Sequence, residues 1–114
     1  MKIQTPGKLL FPFLTGCVMA LHPFCATAQT PADLARRNAC MACHGLVHKQ
    51  VGPGFAQIAE RYRGDGEAAT RLAGKIRNGS VGTWGRVIMP RQTQVSQADA
   101  QALAQWILSQ PTPR

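Results

Sequence analysis

Apolar residues recur at helical spacing in four stretches of this chain and run almost unbroken in a fifth. Leu34, Ala35 and Ala39 share a face behind Thr30-Pro31-Ala32-Asp33, which reads as N-cap, first helical position and an acid at the positive end of the dipole. This helix is expected to run on into Cys40 and Cys43, with Arg36 and Arg37 outward. Phe55, Ile58, Ala59 and Tyr62 make a short second helix ending at Gly64. A third starts near Asp65 as cap, carries Ala69, Leu72, Ala73 and Ile76, and stops at Asn78-Gly79. Ser96 and Asp99 open a fourth, with Ala100, Leu103, Ala104, Trp106 and Ile107 inward and Pro111 beyond its end. Residues 45–54 have loop composition, and 79–94, with Gly79, Gly82, Gly85 and Pro90, show neither period and read as a long functional loop. No strand pattern and no repeat is visible, so the predicted fold is all-α, a small single domain of about four helices.

The fifth stretch changes where that domain begins. Lys2 and Lys8 precede a mostly apolar run from Leu9 to Leu21, and Ala26-Thr27-Ala28 is a small-x-small cleavage site. Residues 1–28 are expected to be a signal peptide and 29–114 the mature domain. A membrane span is disfavoured, because Pro12, Gly16, His22 and Pro23 interrupt a run short of the ~20 residues a span needs. A second processing reading stays open: Leu14-Thr15-Gly16-Cys17 resembles a lipoprotein box, which would leave a lipid anchor on Cys17. Cleavage after Ala28 removes Cys17 and Cys25, and of the 13 basic residues it takes Lys2 and Lys8, so 11 remain against five acids. The surplus is scattered, with no basic run and few aromatics for stacking bases, which argues against nucleic acid. It reads equally as a solvated surface or as a patch for acidic partners.

Into this small helical domain the chain places Cys40-Met41-Ala42-Cys43-His44. Cys-x-x-Cys-His is the attachment signature of c-type haem: two thiols on one turn add to the vinyl groups, and the adjoining imidazole takes one face of the iron. Three other readings compete. Zinc needs four ligands, and His48 is the only other mature His, so all four would crowd into nine residues. A thioredoxin-like pair belongs after a strand in an α/β pattern. A Cys40–Cys43 disulfide leaves His44 without a role.

The other face of the iron decides the chemistry. Met1 and Met19 leave with the leader, and Met41 sits between the anchoring cysteines. His48 is too near His44 to reach round and reads as a surface residue. Met89, 45 residues after His44 with two helices between, remains as the candidate; the plain alternative is a buried gap-filler.

At this point the sequence strongly resembles the small bacterial class I cytochromes c, of the c five-five-one or c eight type. The resemblance covers nearly the whole mature chain: the Cys40–His44 anchor, Val51-Gly52-Pro53, Lys75-Ile76-Arg77-Asn78-Gly79, Thr83-Trp84-Gly85, Met89-Pro90 and Leu103-Ala104-Gln105-Trp106-Ile107-Leu108-Ser109. It implies four helices wrapped around one covalent haem c, with His44 and Met89 as axial ligands. It also implies that the Pro53 carbonyl accepts from the His44 ring, that Lys75 and Trp84 approach the haem propionates, and that the Gln92 amide bonds the Met sulfur. For Trp84 and Lys75 the plain readings are packing and an exposed helix charge. Relatives commonly read Trp-Gly-Pro-x-Pro-Met-Pro-Pro, whereas here Trp84-Gly85-Arg86-Val87-Ile88-Met89-Pro90-Arg91 has Arg86, Ile88 and Arg91 in place of three of those prolines and gains two positive charges. A looser or differently docked ligand loop is expected.

The function this predicts is a soluble, monomeric periplasmic electron carrier. Its partners would be redox proteins with acidic patches: a terminal oxidase, a nitrite reductase or a quinol-oxidising complex. The five mature acids, Asp33, Glu60, Asp65, Glu67 and Asp99, form no acid–base pair for an enzyme. The alternatives are a haem c subunit of a larger dehydrogenase, or a gas sensor or enzyme should Met89 be labile.

Overall fold

The computed structural model describes residues 2, 3, 7 and 28–113. Most of the expected leader, Cys17 included, lies outside the described residues. From Pro31 onward the chain forms α1 (Pro31–Arg37), α2 (Phe55–Arg61), α3 (Ala68–Asn78), β1 (Ser80–Gly82), β2 (Gly85–Met89) and α4 (Gln97–Leu108).

Thr30 caps α1 as expected: its hydroxyl oxygen accepts from the Asp33 N–H at 3.2 Å. That hydrogen-bonded hydroxyl and then Arg36 hold the Asp33 carboxyl below its ordinary value. The helix does not continue into the cysteines. The Asn38 side-chain amide donates to the Leu34 carbonyl at 2.9 Å, ending the helix, and Ala39 turns left-handed at φ 56°. Such a conformation costs a non-glycine residue about 1–2 kcal/mol, and it falls where the chain swings round to start a separate 3₁₀ turn, Cys40–Ala42. Ala39, expected inward, is therefore exposed.

α2 ends at Tyr62, with Gly64 at φ 77° beyond it. α3 starts two residues later than Asp65 as cap suggested, with Glu67 at its N-cap position, and buries Ala68 rather than Ala69 beside Leu72, Ala73 and Ile76. Asp65 instead accepts from the Glu67 N–H and pairs with Arg71. α4 meets α1, α2 and α3, which makes it the central element. Its Leu103, 1% exposed, contributes about 2 kcal/mol of burial and joins Leu34, Phe55, Ile58, Leu72, Ile76 and Ile107 in one core.

The expected long loop at 79–94 contains an antiparallel hairpin, which corrects a reading with no strand at all. Gly82 pairs with Gly85 around the two-residue tip Thr83-Trp84, and Ser80 pairs with Met89, so β2 is bulged against β1. The missing prolines explain why a strand forms. Proline has no N–H to give a ladder, whereas Arg86, Val87 and Ile88 have one each, and two of them are β-branched. The fold is mostly helical with this one small sheet, and no helix among the described residues is long and apolar enough to cross a membrane.

Candidate functional site

The hairpin, α2, α3 and the segment after the 3₁₀ turn enclose one cavity, and Cys40, Cys43, His44 and Met89 all line it. The remaining lining is largely apolar, from Phe55, Ile58, Leu72, Ile76, Leu103 and Ile107 on the core side to Val51, Val81, Val87 and Ile88 on the outer side. Those four outer side chains are 51–69% exposed, a placement that leaves apolar surface turned towards the cavity and its mouth.

His44 is the one buried polar residue among those described. Three neighbours set its ring. Its Nδ1 lies 2.7 Å from the Pro53 carbonyl oxygen; a carbonyl only accepts, so Nδ1 carries the hydrogen and Nε2 keeps its lone pair in the neutral ring. Phe55 stacks on the imidazole at 5.3 Å between centroids and 14° between planes, and Trp106 meets Phe55 edge-on at 5.3 Å. Gly52 completes the setting, since a Cβ there would stand 2.8 Å from His44 Cε1 and 3.2 Å from Nδ1. In the sequence Gly52 belongs to the Val51-Gly52-Pro53 motif without a role of its own, because its approach to a ring eight residues earlier is not legible along the chain. Loop 45–54 closes back through Gly52 N–H to the Cys43 carbonyl, 2.8 Å, and Phe55 N–H to the Gly45 carbonyl, 2.9 Å. His48 is exposed on that loop.

The two thiols are free. In the chain before haem attachment, burial, more than any other influence, pushes the Cys40 thiol above its ordinary value. Among the described residues no cluster of His, Cys and carboxylate is built to hold a metal ion by itself.

At the far end of the cavity Lys75 reaches from α3 to the hairpin tip, donating to Thr83 Oγ1 at 2.7 Å and to the Tyr62 hydroxyl at 3.5 Å. Trp84, beside Thr83, lies under the Arg61 guanidinium at 4.7 Å. Lys75 and Trp84 both line the cavity, but Gln92 does not. Its Nε2 donates to the Pro90 carbonyl at 3.1 Å, and its Oε1 accepts from Gln94. The expected Gln92–sulfur contact is thus replaced by a local turn: Pro90 directs its carbonyl back over the two residues that follow.

An apolar slot with two thiols at one wall, one oriented imidazole and a thioether fits a flat macrocycle that carries iron. The comparisons with known proteins agree. Residues 30–111 match the family model described as Cytochrome c. The chain is 54% identical over 82 residues to cytochrome c-552 of Nitrosomonas europaea, 72% of this chain and 80% of that protein. It is 40% identical over 105 residues to cytochrome c-551 of Pseudomonas aeruginosa, covering 92% and 97% respectively. The crystal structure of wild-type Nitrosomonas europaea cytochrome c552 superposes with a TM-score of 0.68 at 53% identity, over 69% of this chain and 98% of that one. The chain therefore belongs to the cytochrome c family, as a small class I monohaem electron carrier whose single haem c is bound covalently through Cys40 and Cys43.

Proposed function

We propose that this protein is a soluble, non-enzymatic electron carrier of the periplasm, with His44 and Met89 as the axial ligands of its haem. The observation that carries the reading is that His44 and Met89 line the same apolar cavity as the cysteine pair. The haem supplies a one-electron couple between ferric and ferrous iron, and a thioether ligand favours the reduced state. The chain's own residues do the rest. Pro53, Phe55 and Gly52 hold the imidazole in one orientation, so Nε2 is presented without rearrangement. The helical core keeps water from one side, while Val87 and Ile88 make the hairpin an apolar flank at the mouth. Lys75 and Trp84 supply a cation and an indole N–H for carboxylates at the far end.

The family match from residue 30 and the start of α1 at Pro31 support a boundary after Ala28, and hence export. Charge supports the kind of partner. Asp33, Glu60 and Asp65 are each paired with an arginine on the helical side. Among the described residues Lys49, Arg86 and Arg91, near the two ligand-bearing segments, have no carboxylate partner in those pairs. We assign them to steering acidic patches on a terminal oxidase, a nitrite reductase or a quinol-oxidising complex towards the mouth. Replacing both arginines (Arg86→Glu with Arg91→Glu) is expected to slow association with the physiological partner by roughly tenfold or more at low salt and to flatten the salt dependence. Unchanged rates and an unchanged salt slope would remove the steering role.

The ligand assignment is tested by visible spectra of the protein exported in a host with cytochrome c maturation machinery. A c-type reduced spectrum, the weak long-wavelength band of sulfur-ligated ferric haem and no response to carbon monoxide are expected. Carbon monoxide binding would point instead to sensing or catalysis.

A further inference from the structure

The hairpin that carries Met89 touches the helices at few points. Its base is tied to α3 by chain continuity through Gly79 and by the Gln92 N–H to Ile76 carbonyl bond at 3.1 Å. Its tip is held by side chains. Lys75 donates to Thr83 there, and Arg61, the last residue of α2, sets its guanidinium carbon 4.7 Å from the Trp84 ring centroid. Neighbouring arginines are otherwise engaged: Arg63 with Glu60 and Thr112, and Arg71 with Asp65. Arg61 has no carboxylate among the ion pairs of the described residues, so nothing competes with the indole for its planar, weakly hydrated cation.

We propose that Arg61 is a positioning residue for the iron's sulfur ligand: by clamping Trp84 it holds the hairpin tip against α2 and keeps the Met89 end of β2 over the cavity. The proposal rests on Met89 being the sixth ligand. Arg61 and Met89 lie on different elements, and the connection runs through Trp84 at the tip and β2 between them. The flanking Gly82 and Gly85, at φ 90° and 98°, make the tip a turn in which the Trp84 side chain is the main external hold on α2. Arg61 is exposed, so its replacement leaves the core intact and changes the clamp alone.

The experiment uses ferric holoprotein and titrates imidazole as a competitor for the sixth position, read by loss of the sulfur-ligation band, in wild type, Arg61→Ala, Arg61→Lys and Arg63→Ala. Arg61→Ala should bind imidazole more tightly by roughly two- to five-fold, the range an exposed cation–π contact supports. Arg61→Lys should recover part of that, and Arg63→Ala, whose partners lie elsewhere, should match wild type. Repeated with Trp84→Ala in each protein, the Arg61 effect should vanish. Equal imidazole affinity in wild type and Arg61→Ala, or an Arg61 effect undiminished without Trp84, would overturn the clamp while leaving Met89 as ligand. A wild-type protein lacking the sulfur band would overturn the ligand reading and the clamp together.

Discussion

Met89→Ala is expected to make the reduced protein bind carbon monoxide stoichiometrically, where the wild type is expected not to respond. Met89 is the last residue of β2, partly buried against the core and lining the cavity with His44. Truncation removes the thioether and leaves the backbone pairing of Ser80 with Met89 untouched. The stability cost should stay below the roughly 2–5 kcal/mol of a fully buried Met→Ala change, so the altered chemistry is read in a folded protein. The ferric long-wavelength band should disappear. The reduction potential should fall by a substantial part of the roughly 0.8 V that axial ligands command, because the ligand that favours ferrous iron is gone. Spectra with and without carbon monoxide, plus a redox titration, check both. A normal low-spin spectrum after the substitution would refute Met89 as ligand.

Gly79→Ala should be nearly as damaging, although residue 79 touches no cofactor. Gly79 follows α3 at φ 80° and ψ 171°, a region essentially reserved for glycine, where another residue pays about 1–3 kcal/mol. A Cβ there would also stand 2.8 Å from the Met89 carbonyl oxygen. That atom belongs to the strand and moves only if the strand does, so overpacking adds about 1–3 kcal/mol. Together these take a large share of the 5–15 kcal/mol that holds a typical domain folded. The expected result is a clear drop in unfolding midpoint together with weakened sulfur ligation. Gly74→Ala, inside α3 where a Cβ meets nothing, is the control and should stabilise by up to about 1 kcal/mol. A Gly79→Ala protein with the midpoint and sulfur band of wild type would show that the strand has slack at its base.

The two substitutions differ in how visible their reasons were beforehand. Met89 emerged by elimination among four methionines and by likeness to relatives. Gly79 read only as a helix stop, and Gly52 as part of a Gly-Pro pair. What makes both matter is an approach to something distant along the chain: Gly79 to Met89, and Gly52 to the ring of His44. Arg61 is a similar case. From the sequence it is one more scattered cation on an exposed helix face; only the fold lays it over Trp84.

The hairpin shows the same division. Gly-rich, three residues long on one side and bulged on the other, it has no alternation for a period to detect. The departure from the family's proline-rich run is nevertheless legible in the sequence, and its consequence is a paired strand rather than a looser loop. Likewise, α1 appeared to run into the cysteines because nothing in Asn38-Ala39 breaks a helix by composition; the Asn38 cap and the left-handed Ala39 end it.

Sequence alone determined whatever depends on neighbours in the chain. The haem-attachment run is five consecutive residues, the caps at Thr30 and Ser96 act within three positions, and the core stripes repeat every turn. Tertiary structure decided whatever depends on distant segments meeting: which face of His44 is free, where α1 stops, how the hairpin is clamped and where Gln92 sends its amide. The reason is physical, since local steric and hydrogen-bonding preferences are written residue by residue, whereas a cavity's walls come from segments far apart in the chain whose approach is set only when the core packs.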